Sequence, residues 1–270
     1  MIIIGELINA TRKTIREAIQ KKDNEFILQE AVNQVNCGAD CIDINCAIDI
    51  NQEPDDMEWL VKIVQEKLDV PLMIDSSNPV AIERGLKIRR GKTIINSITG
   101  EIESQQSNKK ISKILQLTKE TGSDIVVLTM SDKGMPKTAS ERVSIAEKMY
   151  KIITEQYEIR PENIYFDLLV RPVSTEPEQP LEFLNGLQII KRLFPQSKTI
   201  CGLSNVSFGL PKRKLINSTF LILCLYAGLD AALVDPTDKN IIASLRATEA
   251  LLGKDEYCMN YISAFKEGRI

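Results

Sequence analysis

The residues of this chain that could do chemistry stand at the ends of apolar runs. Ile2-Ile3-Ile4-Gly5-Glu6 is followed by Asn9, and Cys41-Ile42-Asp43-Ile44-Asn45, Leu72-Met73-Ile74-Asp75 and Thr93-Ile94-Ile95-Asn96 repeat the pattern. Ile164-Tyr165-Phe166-Asp167, Gly202-Leu203-Ser204-Asn205 and Ala232-Leu233-Val234-Asp235 continue it, at about the spacing of one βα unit. An ionised Asp accepts two parallel N–H bonds, and Asn donates and accepts together. Such a set suits an amide–amidine ring, which presents adjacent N–H donors on one edge and acceptors on the other. The plainer reading is that these side chains cap helices or close loops. That suffices for Asp235 or Ser204 alone, but poorly for Asp75, Asn96, Asp167 and Asn205, each directly after an apolar run.

The elements that position these groups follow from the same runs. A strand buried on both faces should be uniformly apolar, because an unpaired polar group inside costs roughly several kcal/mol. A polar group at one end of nearly every strand therefore means that the strands converge on a shared polar pocket. In a (β/α)8 barrel that end is the active-site face. Between the strands run amphipathic helices. Asp23 can cap one that carries Leu28, Val32 and Val35 and ends near Gly38. Residues 55–68 carry Met57, Leu60, Val61, Val64 and Leu68 on one face, and Asn78-Pro79 opens a helix to about Lys87. Residues 107–121 end at Gly122, a strand at 124–130 leads to a helix over 140–156, and 180–194 carries Leu184, Leu187, Ile190 and Phe194. Residues 214–227 are apolar almost all round, which predicts a well-buried helix, and 240–252 closes the series. Eight βα units without an internal linker predict one domain over residues 1–270. A doubly wound open sheet would open with a Gly-rich phosphate loop, and Glu6–Arg12 is not one.

Composition narrows the functions. The chain has 270 residues, 43% hydrophobic and 26% charged, with a net charge of −3, so nothing draws it to nucleic acid or an anionic membrane. No apolar run approaches the ~20 residues that span a bilayer, and Met1 leads directly into a strand, so a cytoplasmic protein is expected. The six cysteines lie mostly in apolar segments, which makes them buried thiols; Cys37, Cys41 and Cys46 lack a fourth zinc ligand and any CxxC pair. There is no histidine. That removes Ser/His/Asp and Cys/His catalysis and the usual catalytic zinc and non-haem iron sites, leaving proton transfer to carboxylates, Lys, Tyr, Cys, substrate or water. No bound metal is expected.

Glu6-Leu7-Ile8-Asn9, Asp43-Ile44-Asn45, Ile74-Asp75-Ser76-Ser77-Asn78, Ile95-Asn96-Ser97 and Gly202-Leu203-Ser204-Asn205-Val206-Ser207 together resemble the pterin-binding barrel superfamily. Within it the chain is most similar to the methyltetrahydrofolate:corrinoid/iron–sulfur protein methyltransferases and to the folate-binding domain of cobalamin-dependent methionine synthase. The resemblance runs from Met1 to about Tyr261 and implies a pterin-binding (β/α)8 TIM barrel. It implies that Asp75, Asn96 and Asp167 hold the pterin edge and that Asn205, with Ser204 beside it, sits near N5. It implies that Glu6, Asn9, Asp43 and Asn45 line or brace the floor of the site. The implied reaction moves a methyl group between N5 of tetrahydrofolate and the cobalt of a corrinoid (cobalamin) carried by a partner protein. N5 must gain a proton or strong hydrogen bonding as the C–N bond breaks, with Asn205 and Asp75, through water, as the catalytic pair. The resemblance also implies a homodimer.

The chain departs from the family in lacking a Pro after Asp167, in its proline-rich loop Arg171–Pro180, and in Phe208. Lys212-Arg213-Lys214 follows the strand-seven motif; it would attract the folate tail or corrinoid-protein acids, or else is a solvated charge run. The alternatives to the methyltransferase are a dihydropteroate synthase-like pterin enzyme and a non-catalytic folate-binding subunit. The first would need a strand-seven Lys and a strand-eight anion site, where this chain has Leu203-Ser204-Asn205 and Val234-Asp235.

Overall fold

The computed structural model describes residues 1–270. Eight parallel strands, each bonded to the next in sequence, close into a barrel with β8 (Ala231–Val234) against β1 (Ile2–Asn9). Between these lie β2 (Cys41–Asn45), β3 (Leu72–Asp75), β4 (Thr93–Gly100), β5 (Asp124–Ser131), β6 (Ile164–Asp167) and β7 (Lys198–Gly202). The helices are α1 (Lys13–Lys21), α2 (Asn24–Asn36), α3 (Glu53–Lys67), α4 (Pro79–Ile88), α5 (Gln105–Thr121), α6 (Ala139–Lys151), α7 (Gln179–Leu193), α8 (Arg213–Ala227), α9 (Lys239–Leu251) and α10 (Met259–Lys266). No helix is long and apolar enough to cross a membrane.

Local chemistry fixes the helix ends. Asp23 accepts from Phe26 N, Asn78 accepts from Val80 N with Pro79 in the first turn, and Thr138 with Glu141 forms a reciprocal capping box. Gly122 and Gly228 end α5 and α8 in the left-handed conformation, as a helix C-terminus favours. The strands' outward faces and the helices share a core of 56 buried residues. Inside the barrel a second core takes one residue from each strand: Ile4, Cys41, Met73, Ile94, Val126, Tyr165, Ile200 and Ala231. This apolar plug closes the lumen below the strands' C-terminal ends.

Three elements differ from the sequence expectation. Residues 13–21 form a separate helix, α1, whose short period is hard to distinguish beside α2, and β4 runs on to Gly100. Residues 214–227 do form a helix, but α8 is not buried all round: Leu215, Ile222, Leu223 and Tyr226 are exposed. They fall on one stripe of the helix, and its opposite face, with Phe220, Leu221 and Cys224, packs inward. Apolar composition marked the helix as wanting cover without saying that this chain alone supplies it.

Candidate functional site

Side chains alternate across a strand, so the residue two beyond each member of the plug points the same way, one layer nearer the mouth. From Ile4, Cys41, Met73, Ile94 and Tyr165 that step reaches Glu6, Asp43, Asp75, Asn96 and Asp167. From Leu233, packed against the plug, it reaches Asp235. The expected polar residues are thus brought to one end of the lumen. Asp75 lies beside Asn96 in the β3–β4 register, and Asp43 pairs with Met73 in the β2–β3 register.

Asp43 is buried, and its carboxyl oxygens make no full hydrogen bond, although the Asn96 side chain stands close enough to lower its proton affinity. Burial, with the neighbouring charge of Asp75, pushes its carboxyl well above the usual carboxylate range. Asp75 is also raised, chiefly by burial, although Asn45 Nδ2 donates to its Oδ2 at 2.9 Å. That leaves Asp75 Oδ1 for a ligand. Asp167 is pushed up to about 6 by burial, against a 2.8 Å bond from Leu169 N to its Oδ1. Glu6 is raised by burial and by Asp235, while Arg12 and Arg213 pull it back. The mouth therefore holds protonatable carboxyls and unfilled acceptors in a site without histidine. No group of three His, Cys, Asp or Glu side chains is arranged to hold a metal ion.

Two expected residues are engaged by their own loops. Asn9 Oδ1 accepts from Thr11 N at 3.0 Å and Thr11 Oγ1 at 2.7 Å, closing the turn after β1. Asp235 accepts from Thr237 N and Oγ1 at 2.9 and 2.6 Å, the loop-closing role that sequence alone suggested for it. Asn45 joins both roles, bonding Asp75 and accepting from Ala47 N at 3.2 Å.

Asn205 lies in the 3-10 turn Leu203–Ser207 that follows β7, and is exposed to the mouth. A Cβ on Gly202 would come within 3.2 Å of Asn205 Nδ2, so the amide leans back close over the strand end. The turn is held from both sides. Arg213 donates from Nη2 to Ser204 O at 2.7 Å and from Nε to Ser207 Oγ at 3.0 Å. From the Arg171–Pro180 loop, Val173 N donates to Val206 O at 3.0 Å and Ser174 Oγ to Phe208 O at 2.7 Å. Arg213 is therefore a brace of the Asn205 turn as well as an exposed cation at the mouth. Lys212 next to it is exposed in the left-handed conformation, and Lys214 lies 3.6 Å from Asp238.

Two braces were not foreseen. Arg142 of α6 is fully buried and donates to Leu168 O at 2.7 Å, Leu169 O at 3.4 Å and Gln179 Oε1 at 2.8 Å. It fixes the turn after Asp167. Glu53, buried at the start of α3, accepts from Ser76 Oγ at 2.6 Å and Asn78 Nδ2 at 3.3 Å, and its charge adds to the proton affinity of Asp75. In sequence Glu53 stands in an acidic first helical turn that explains itself, so nothing marked it.

Comparison with known proteins places this geometry. Residues 5–235 match the family described as pterin binding enzyme. Over 272 residues the chain is 33% identical to a methylcorrinoid:tetrahydrofolate methyltransferase of Eubacterium limosum, covering 100% of this chain and 98% of that protein. It is 31% identical over 242 residues to methionine synthase of Mycobacterium tuberculosis, covering 87% of this chain but only 20% of that enzyme. Among solved structures it superposes on the dihydropteroate synthase of Clostridium difficile determined with pteroic acid, with TM-score 0.73, 20% identity and coverage of 93% of this chain and 96% of that one. Yersinia pestis dihydropteroate synthase in a sulfonamide complex gives TM-score 0.72 at 14% identity, covering 93% and 94%. At those identities the two structures speak for the fold alone.

Proposed function

The chain belongs to the pterin-binding enzyme family, and we propose that it moves a methyl group between N5 of methyltetrahydrofolate and the cobalt of a corrinoid held by a separate protein. One barrel domain over residues 1–270 carries the site. The observation that carries the reading is the pairing of an acceptor-rich edge, Asp75 with Asn96 and Asp167, with an amide-bearing turn at Asn205. The edge fits the N–H donors of the pterin ring. The free Oδ1 of Asp75 is the acceptor such a ring would fill, above the buried carboxyl of Asp43.

The chemistry asks little of covalent catalysis and much of N5. The methyl group transfers in line, its bond to N5 breaking as the cobalt electron pair forms the new bond. The N5 pair returns to nitrogen and must be met by a proton or a donor. Asn205 supplies the amide donor. Asp43 and Asp75 keep their protons to higher pH than ordinary carboxyls and stand as the reserve from which, through water, N5 is protonated. Glu6 and Asn45 hold the floor around them, and Asn9 shapes the loop above.

Dihydropteroate synthase chemistry would need a cation at the end of β7, where Gly202, Leu203 and Ser204 stand. The exposed stripe on α8, Leu215 with Ile222, Leu223 and Tyr226, supports a homodimer. The purified protein is expected to transfer methyl from methyltetrahydrofolate to a reduced corrinoid protein in a single turnover. It is expected to form no methionine from homocysteine when corrinoid is left out. Tight folate binding without transfer would leave only a folate-carrying subunit, and methionine formation without corrinoid would overturn the reading.

A further inference from the structure

The peptide group between Leu168 and Leu169, just beyond Asp167, is gripped at both ends. Its carbonyl, Leu168 O, accepts from Arg142 Nε at 2.7 Å, and its N–H, on Leu169, donates to Asp167 Oδ1 at 2.8 Å. Arg142 Nη2 also donates to Leu169 O at 3.4 Å, so the guanidinium holds the peptide planes on both sides of the Leu169 Cα. Between them Leu169 stands at φ 61°, in the left-handed region that a bulky side chain rarely adopts. We propose that Arg142 is a positioning residue for the pterin edge. It holds Leu169 left-handed, so that one peptide N–H turns back onto Asp167 Oδ1 and Oδ2 is left as the single acceptor for a ring N–H. The inference rests on the folate reading above and adds to it a residue set wholly behind the site.

The company Arg142 keeps is the second argument. Arg142 is fully buried, yet no carboxylate pairs with it. The acids whose charge it feels are engaged elsewhere. Glu141 accepts from Lys137 N at 2.6 Å and Thr138 N at 3.3 Å, Glu182 accepts from Ala139 N at 2.6 Å, and Glu176 pairs with Arg171. On β7 the Cys201 thiol is kept protonated by its contact with Cys224 and by burial, so it puts no charge on Asp167. A buried cation without a counter-ion is costly, and an apolar side chain would serve packing better. Its donors go instead to the two carbonyls after Asp167 and to Gln179 Oε1 at 2.8 Å, while Nη1 has no acceptor. Gln179 Nε2 in turn donates to Lys137 O at 2.8 Å and pins the guanidinium from the far side. Gly186 of α7 leaves room for the assembly: a Cβ there would stand 2.9 Å from Leu168 Cδ2 and 3.6 Å from Arg142 Cδ. The uncompensated charge polarises the Leu168 carbonyl and makes the same peptide's N–H a stronger donor to Asp167.

The test separates the fork, the charge and the backbone. Arg142→Lys keeps the charge but loses the two-carbonyl fork, and Arg142→Met loses both. Affinity for methyltetrahydrofolate, read by calorimetry, should fall about tenfold in Arg142→Lys and further in Arg142→Met, the scale of one bond to a charged group. Glycine adopts positive φ freely, so adding Leu169→Gly to Arg142→Lys should recover about threefold of that loss. In an Asp167→Ala background Arg142→Lys should cost nothing more, because its route to the ligand is already gone. Without ligand, the carboxyl titration of Asp167, followed by carbon NMR, should move up by about one pH unit in Arg142→Met. In wild type the Leu169 amide should be protected from hydrogen exchange although it lies in a loop. An unmoved Asp167 titration overturns the proposal, as does a loss of affinity that Leu169→Gly does not relieve or that persists without Asp167. A freely exchanging Leu169 amide in wild type overturns it even if the Arg142 variants do not fold. If wild type binds no methyltetrahydrofolate, the folate reading falls, and the Asp167 titration still decides for or against Arg142.

Discussion

At the bottom of the lumen the strands contribute Ile4, Cys41, Met73, Ile94 and Tyr165; two residues further along the same strands they contribute Glu6, Asp43, Asp75, Asn96 and Asp167. One backbone frame and one alternation place both layers. The lower layer is dry and close-packed, and its side chains have nothing to titrate except Cys41 and Tyr165, which burial holds neutral. The upper layer carries raised carboxyls, among them Asp43, Asp75 and Asp167. The difference teaches that the plug does more than stabilise. By excluding water from below, it sets the low-dielectric floor against which Asp43 keeps its proton. Substitutions in the two layers should then separate stability from chemistry.

The largest effect is expected below. Met73→Ala removes a fully buried side chain from the plug and should lower unfolding free energy by about 2–5 kcal/mol. In the folded fraction the pH dependence of methyl transfer should keep its shape, because a cavity left among apolar side chains stays dry and the floor beneath Asp43 stays low in dielectric; denaturant titration and a pH–rate profile would check both. A shifted profile would mean that water enters beneath Asp43. Above, the expected pattern reverses. Asn205→Ala should reduce kcat by about 10²–10³, because the amide bond to N5 strengthens only as the methyl leaves. Its unfolding free energy should stay within about 0.5 kcal/mol of wild type, since Asn205 is exposed. Weakened folate binding with unchanged single-turnover transfer at saturation would make Asn205 a ground-state contact and move the proton path to Asp75 and water.

Asp167 tests the layer's hidden instability. Its carboxyl is pushed up from 3.8 to about 6 in the folded protein, so the folded state binds that proton more tightly than the unfolded chain. The resulting stabilisation is full below pH 3.8 and is lost as pH rises through about 6. At pH above that window the ionised carboxylate opposes folding. Asp167→Asn, which keeps an oxygen for Leu169 N, should be more stable than wild type by about 1–3 kcal/mol near pH 7.5. The gap should close near pH 4. Urea unfolding at the two pH values measures it, and a variant less stable than wild type near pH 7.5 would contradict the burial argument.

Much of this contrast was legible in the sequence, because period two and strand-end polarity are local signals. Asp75, Asn96 and Asp167 each close an apolar run, and the barrel carries them to one place. What could not be read was the support. Arg142 reaches the Asp167 turn from α6, 26 residues upstream of its Leu168 partner, and Glu53 reaches Ser76 across 23 residues. No periodicity records such contacts. The bracing role of Arg213 was hidden because charge is visible in a sequence and hydrogen-bond partners, here a backbone carbonyl and a serine, are not. The exposed face of α8 was misread for a related reason, since hydropathy reports a demand for cover and not its source.

The smallest effect is expected at Gly202, where the strand passes into the Asn205 turn. The residue has φ −78° and ψ 92°, which any L-residue adopts, so alanine brings no backbone strain there. Its added Cβ would stand 3.2 Å from Asn205 Nδ2, closer than ordinary contact, and the amide would have to give by a few tenths of an ångström. A misplacement of about 1 Å is worth about 10²-fold in rate, so Gly202→Ala should lower kcat by about 3–10-fold with little change in folate affinity. The decisive measurement is the double variant. If the glycine acts through the amide, Gly202→Ala should slow wild type but not Asn205→Ala, a coupling that the four rate constants give directly. Equal slowing in both backgrounds would show that the added methyl disturbs the pterin or the strand end itself. The upper layer would then owe its rate to the whole rim rather than to one amide held over a glycine.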